Sequence, residues 1–348
     1  MIIKDTFSKD HLTLIRNRLQ MDPFIVERSI FALGLLEALV QSGLRFVFKG
    51  GTSLMLLFNT PRRLSTDIDI VVPIGTNIKD YLETASKIFP FVEVEEQIRK
   101  GRNNIIKQHF KFFYDSPTTG KVFYILLDVL YEDDHYAETV EVPINSSLLI
   151  ADEPYVMVTV PSTASILGDK LTAFAPHTTG VPLGVGKNTE VIKQLYDVST
   201  LIDVFDDFEG VLKTYNAISR QEIDYRGLDI LPDDALLDTI KTALCIASQG
   251  KINGEDYLNL MEGIRGLVNF IVGDKFSVEE TIKLCCKIIH FVACVISKAE
   301  YKSISDIENY ENQRIRGKQL GLASYLKKID LESFAHVVEA SKLIELGD

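Results

Sequence analysis

The hydrophobic period of the chain changes once along its length. Up to about residue 160 it moves between period two and period 3.6, and beyond that nearly every segment repeats its apolar residues at helical spacing. Such a pattern predicts an α+β chain, with a small mixed β-sheet and flanking helices followed by a mostly helical domain. The boundary is expected near Val160-Pro161, giving a core domain over residues 1–160 and a helical domain over 161–348. At 348 residues and 46% hydrophobic content the chain exceeds what one compact domain needs.

In the first part, Leu44 to Phe48 is a short apolar run closed by Gly50-Gly51, which fits a strand, a tight turn and a helix from Thr52 to Phe58. Asp67-Ile68-Asp69-Ile70-Val71-Val72 opens with polar/apolar alternation, as a strand polar on one face should, and Pro73 and Gly75 end it. A helix over 79–89 is expected next. Three strand-like runs follow, Val92 to Arg99, Ile105 to Tyr114 and Val122 to Tyr131, the last two joined by the turn around Pro117 and Gly120. In the second part, Pro161 to Ala175 reads as a helix, His177 to Lys187 as a loop, and Thr189 to Val204 as a second helix. Further helical patterns cover 208–219, 234–249, 255–272, 277–299 and 331–346.

Several classes of function are disfavoured. The N-terminus mixes charged and apolar residues and carries no export signal, so a cytoplasmic location is expected. Leu284 to Ile296 is interrupted by Lys287 and His290 and suits a core helix better than a membrane span. The four cysteines form no CxxC pair, which argues against zinc and disulfides. A net charge of -12 opposes sequence-blind adhesion to nucleic acid. Arg99, Lys100, Arg102, Lys107 and Lys111 make one basic stretch, readable as a local patch or as a solvated hairpin. The six histidines show no relay or zinc spacing and read as structural or surface groups.

The chemistry concentrates in Lys49-Gly50-Gly51-Thr52-Ser53 and in Arg63-Leu64-Ser65-Thr66-Asp67-Ile68-Asp69. Residues i and i+2 of a strand project from one face, so Asp67 and Asp69 aim two carboxylates at one point, where they repel unless a cation lies between them. Carboxylates completed by phosphate oxygens and water are the usual surroundings of Mg2+ or Mn2+. Gly50 and Gly51 let the backbone approach a phosphate, and the helix after them offers free N–H groups and the positive end of its dipole. The Thr52 and Ser53 hydroxyls add short donors.

In this order the two segments resemble the AbiEii/AbiGii-type toxins, which include the MenT toxins, within the DNA polymerase beta-like nucleotidyltransferases. The residues that carry the resemblance are Lys49-Gly50-Gly51-Thr52, Arg63, Ser65 and Asp67-Ile68-Asp69, with Thr52 to Thr66 as the spacer. It extends through Leu167-Gly168-Asp169-Lys170-Leu171-Thr172-Ala173 and Lys193-Gln194-Leu195-Tyr196-Asp197-Val198, over approximately residues 30 to 205. Gln194 departs from the family pattern, in which an aspartate is commoner, so Asp197 is the acid carried over.

The resemblance implies a metal-dependent enzyme that moves a nucleoside monophosphate from an NTP to an acceptor, a toxin with a cognate antitoxin encoded nearby, a role in phage defence, and a tRNA 3′ end as acceptor. It makes Asp67, Asp69, Lys170 and Asp197 catalytic, with Gly50, Gly51, Thr52, Ser53, Arg63 and Ser65 on the nucleotide. Two metals can clamp the attacking and departing oxygens of such a transfer. Asp128, a lone acid in the apolar run Ile125 to Leu130, is either a third metal ligand or an exposed strand position. Lys170 meets the triphosphate or snorkels from an apolar helix. Asp197 orients Lys170, holds the attacking hydroxyl, or forms a structural ion pair. Arg63 and Lys49 contact phosphate or a partner, or pair with a carboxylate for stability. The same core also supports transfer to a small molecule or a protein, and a non-catalytic nucleotide-binding module is the remaining alternative.

Overall fold

The computed structural model describes residues 1–58, 60–98, 106–273, 276–316 and 320–346. The chain divides into two compact units, Met1–Ser162 with Asn269–Asp274, and Thr163–Val268 with Lys275–Asp348.

The first unit opens on two capped helices. Helix α1 (Lys9–Leu19) starts at Ser8, whose hydroxyl accepts from the His11 amide. Helix α2 (Pro23–Gln41) starts at Asp22, whose carboxylate accepts from the amides of Phe24 and Ile25, with Pro23 at the first position where no N–H is needed. Apolar residues face nearly every side of α2, and Ile30, Phe31, Leu33, Leu35, Leu36 and Leu39 are all buried, as befits a helix at the centre of a core.

That helix lies against a five-stranded sheet. Along the chain come β1 (Val47–Lys49), α3 (Gly50–Leu57), β2 (Ile68–Val72), α4 (Lys79–Ala85), β3 (Phe91–Glu96), β4 (Lys107–Asp115) and β5 (Val122–Tyr131). The strands are ordered β1-β2-β5-β4-β3, with β2 and β5 parallel and the other neighbours antiparallel. Side chains alternate across a strand, so Ile68, Ile70, Val72, Phe110, Phe112, Tyr114, Ile125, Leu127 and Val129 share one buried face. There the ring of Phe31 from α2 stacks on Tyr114 with centroids 3.9 Å apart. The same alternation puts Asp69, His109 and Asp128 on the opposite face. A separate antiparallel pair, β6 (Thr139–Pro143) and β7 (Met157–Pro161), completes the strands of this unit among the described residues.

The second unit is helical: α5 (Thr163–Ala173), α6 (Asn188–Ile202), α7 (Phe208–Arg226), α8 (Pro232–Ala247), α9 (Gly254–Leu267), α10 (Val278–Ser297), α11 (Leu320–Ile329) and α12 (Leu331–Leu343). Helix α10 is the core helix expected from its sequence, and its residues from Ile288 to Val295 are buried. Among the described residues no helix is long and apolar enough to cross a membrane, and the four cysteines are buried free thiols.

Several bounds differ from the sequence expectation for physical reasons. The helix expected over 79–89 ends at Ala85, where the ladder tightens: the Lys87 and Ile88 amides donate to the Thr84 and Ala85 carbonyls, three residues back. The helix expected over 255–272 stops at Leu267, and the chain then returns to the first unit. There Ile271 bridges Arg63, the Leu64 amide donates to the Phe270 carbonyl at 2.8 Å, and the Val272 amide donates to the Arg62 carbonyl at 3.0 Å. Val272 packs against the core of that unit, so the apolar end of the pattern serves the sheet domain and not the helix. Helix α11 and the β6–β7 pair are additions to the elements expected from the sequence, the strands being only five residues each. Arg99, Lys100, Arg102 and Ile105 lie outside the described residues, while Lys107 and Lys111 lie on β4.

Candidate active site

Gly50 and Gly51 form the joint between β1 and α3, and the helix begins at them, two residues earlier than expected. Gly50 has φ +80°, a region that L side chains rarely adopt. A Cβ there would also fall 2.2 Å from Oδ2 of Asp69, and a Cβ on Gly51 would fall 2.3 Å from Nη2 of Arg63. Both glycines therefore make room for the two charged side chains that the sequence places downstream. Arg63 is buried and donates through Nη1 to the Leu64 carbonyl at 3.2 Å. Ser65 lies beside the same turn. Thr52 and Ser53 are fully buried, with the Thr52 hydroxyl donating to the Asp67 carbonyl and the Ser53 hydroxyl to the Gly50 carbonyl at 2.8 Å. The Thr52 hydroxyl thus ties the turn to the residue that leads into β2, and the Ser53 hydroxyl closes the turn on itself.

The carboxylates sit in a row. Lys49 on β1 faces Asp69 on β2, Asp69 faces Asp128 on β5, and Asp128 faces His109 on β4. Directly opposed residues of paired strands share a face, so four strands present these groups side by side. Asp67 is placed just ahead of β2, two residues before Asp69, and its Oδ1 lies 3.0 Å from Nη2 of Arg28 on α2. The Lys49 ammonium lies 5.7 Å from the centroid of the Tyr136 ring. Among the described residues no group of three or more His, Cys, Asp or Glu side chains is gathered so that it could hold a metal ion by itself. The carboxylates form an open row.

In the second unit, Lys170 on α5 and Asp197 on α6 form a buried ion pair at 3.0 Å, with side chains 9% and 1% exposed. The carbonyl oxygen of Gln194 accepts from the same ammonium at 2.8 Å. The residue that departs from the family pattern therefore keeps an acceptor on Lys170 and gives up only the charge.

Two neighbours of the carboxylates were missed in the sequence. Arg28 carries no local signal, since a lone arginine on a helix is ordinary. His109 alternates with Phe110 and Phe112 and so belongs to the polar face of β4. Its pairing with Asp128, Nδ1 to Oδ1 at 2.7 Å, depends on a strand register that joins residues nineteen apart.

The sequence model of a family described as nucleotidyl transferase AbiEii toxin, type IV TA system, matches residues 34–267. No curated protein matches the sequence. Among solved structures, JHP933 from Helicobacter pylori is 14% identical, with 78% of this chain and 94% of that chain covered and a TM-score of 0.46. A second H. pylori protein, assigned to the nucleotidyltransferases, is 16% identical over 79% of this chain and 99% of its own, with a TM-score of 0.45. An antigenic nucleotidyltransferase-like protein from Paracoccidioides brasiliensis is 17% identical over 64% and 91% of the two chains, with a TM-score of 0.37.

Proposed function

The chain belongs to the AbiEii family of nucleotidyltransferase toxins of type IV toxin–antitoxin systems, and on that premise we propose that it transfers a nucleoside monophosphate from an NTP to the 3′ end of a tRNA at a site centred on Asp67, Asp69 and Asp128. The observation that carries this reading is the direct pairing of Asp69 with Asp128 on parallel strands, with Asp67 two residues upstream and the Gly50-Gly51 joint against Asp69. Like charges so placed disfavour one another unless a cation joins them.

The donor set has the chemistry of a hard-cation site, one that substrate oxygens must complete because the described side chains alone gather no group of three that could hold a metal. Three carboxylates, with no thiolate among them, match the oxygen ligation of Mg2+ or Mn2+ when phosphate oxygens complete the shell. Asp67, Asp69 and Asp128 would hold the ion, which supplies charge stabilisation to the phosphate oxygens during in-line displacement. The Gly50-Gly51 backbone and the start of α3 receive the phosphates, where free amides and the helix dipole favour anions. Ser65 lies on that side of the turn, while Arg63, Thr52 and Ser53 keep the turn in shape. Arg28 balances Asp67 and orients it.

Lys170 and Asp197 are assigned to the same reaction on the strength of the family resemblance. A lysine held by one carboxylate and one amide oxygen has a fixed position, as a side chain that is to meet an anionic phosphate needs. The family implies an NTP substrate and a cognate antitoxin. We place the antitoxin gene nearby and the system in defence against phage.

Purified protein incubated with labelled NTPs, Mg2+ and tRNA tests the reading. Label should pass to the tRNA 3′ end, and Asp69→Ala should abolish it. Transfer to an aminoglycoside or a protein instead of tRNA would reassign the acceptor, and transfer to nothing would overturn the enzymatic reading.

A further inference from the structure

We infer that His109 is a positioning residue for this reaction: by donating from Nδ1 to Oδ1 of Asp128 it fixes the third carboxylate in the orientation that metal binding requires. The inference rests on the reading of Asp128 as a metal ligand and adds a residue to it.

The geometry is specific. The contact is 2.7 Å, at the short end for a hydrogen bond to a carboxylate, and the two residues are direct register partners of β4 and β5. Side-chain exposure is 15% for His109 and 33% for Asp128, so the ring is held by its surroundings while the carboxylate stays accessible. A carboxylate alone on a strand samples several rotamers. One hydrogen bond to Oδ1 leaves Oδ2 and a lone pair of Oδ1 open, and spares the ordering that a metal would otherwise have to impose. Hydrogen-bond partners of metal-binding carboxylates are part of the site in this sense, and their loss weakens metal binding by about 10- to 100-fold. A histidine that served only sheet stability would be interchangeable with other residues of its size without effect on the metal.

The test is Mn2+ binding, followed by electron paramagnetic resonance on the full chain with a non-hydrolysable triphosphate analogue present, with melting temperatures measured in parallel. His109→Ala is expected to weaken Mn2+ binding about 10- to 100-fold. His109→Asn, whose amide N–H occupies nearly the Nδ1 position, should restore it close to the wild-type value. His109→Gln keeps a polar side chain but moves its amide toward the Nε2 position, so it should bind as weakly as alanine, and it replaces alanine in the comparison if alanine loosens the sheet. Asp128→Asn should weaken binding at least as much. Normal binding in the alanine and glutamine variants beside weak binding in Asp128→Asn would overturn the role of His109 and leave that of Asp128 standing. Weak binding in His109→Asn at an unchanged melting temperature would also overturn it. Normal binding in Asp128→Asn would remove the metal role of Asp128 and the inference with it.

Discussion

Asp197 receives the Lys170 ammonium at 3.0 Å in a site where 1% of the aspartate side chain is exposed. Removing one member of a buried pair strands the other charge, so Asp197→Ala should destabilise the protein by about 3 kcal/mol or more. Replacing both, as Lys170→Met with Asp197→Leu, should recover most of that loss because no charge remains to be buried. Denaturant unfolding checks the stabilities, and nucleotide transfer separates the roles. A double variant that folds and has lost transfer places the pair in the reaction, whereas a folded and active one makes it scaffold.

Gly50→Ala should damage activity beyond its effect on folding. The left-handed backbone at φ +80° costs an L-residue about 1–2 kcal/mol. The added Cβ would also lie 2.2 Å from Oδ2 of Asp69, so the carboxylate must move. The expected result is a modest fall in melting temperature with a loss of transfer approaching that of Asp69→Ala. Full activity in a stable Gly50→Ala would show that the position of Asp69 is not critical.

These residues also show which parts of the site could be read from the chain. Asp67, Asp69, Gly50 and Gly51 lie within one strand-turn-helix-strand stretch, where local spacing determines the geometry, and β5 has its expected bounds because its apolar run is broken only by Asp128. The row from Lys49 to His109 is not legible, because it depends on the order β1-β2-β5-β4 and on the register between strands far apart in the chain. Gln194 stood out as a departure from the family, yet only its contact with Lys170 shows that an amide oxygen replaces the carboxylate. Residues 269–272 read as helix because their apolar spacing continues that of α9, and the competing hydrogen bonds come from Arg62 to Leu64, some two hundred residues away in sequence.

Stability should fall in mild acid through a buried histidine pair. Nδ1 of His290 on α10 lies 3.1 Å from Nδ1 of His336 on α12. Burial is the main cause that lowers their pKa values, to about 4 for His290 and about 3 for His336, with the neighbouring His290 ring as a further cause for His336. The folded state keeps both rings neutral while the unfolded chain takes up protons near 6.5, so stability is complete above that pH and declines as pH falls toward about 4. For His290 alone the decline is about 3 kcal/mol. Urea unfolding across this window should show the slope, and His290→Phe with His336→Phe should flatten it. An unchanged slope in that variant would assign the acid limb to other groups.

The hydrogen bonds between Arg62–Leu64 and residues 270–272 support the segment that leads into Asp67. Leu64 is fully buried, its amide is held by the Phe270 carbonyl, and Arg63 between the two bonds is the side chain seated against Gly51. Val272→Pro deletes the N–H that reaches the Arg62 carbonyl, and loss of that bond should cost about 1 kcal/mol. The amide of Leu64 should then exchange with solvent faster, while amides within β5, whose partners are untouched, should keep their rates. Transfer should fall with it, because Arg63 can no longer hold the Gly51 turn in place. Unchanged exchange at Leu64 would show that this segment is held from its own side and that residues 270–272 only cover it.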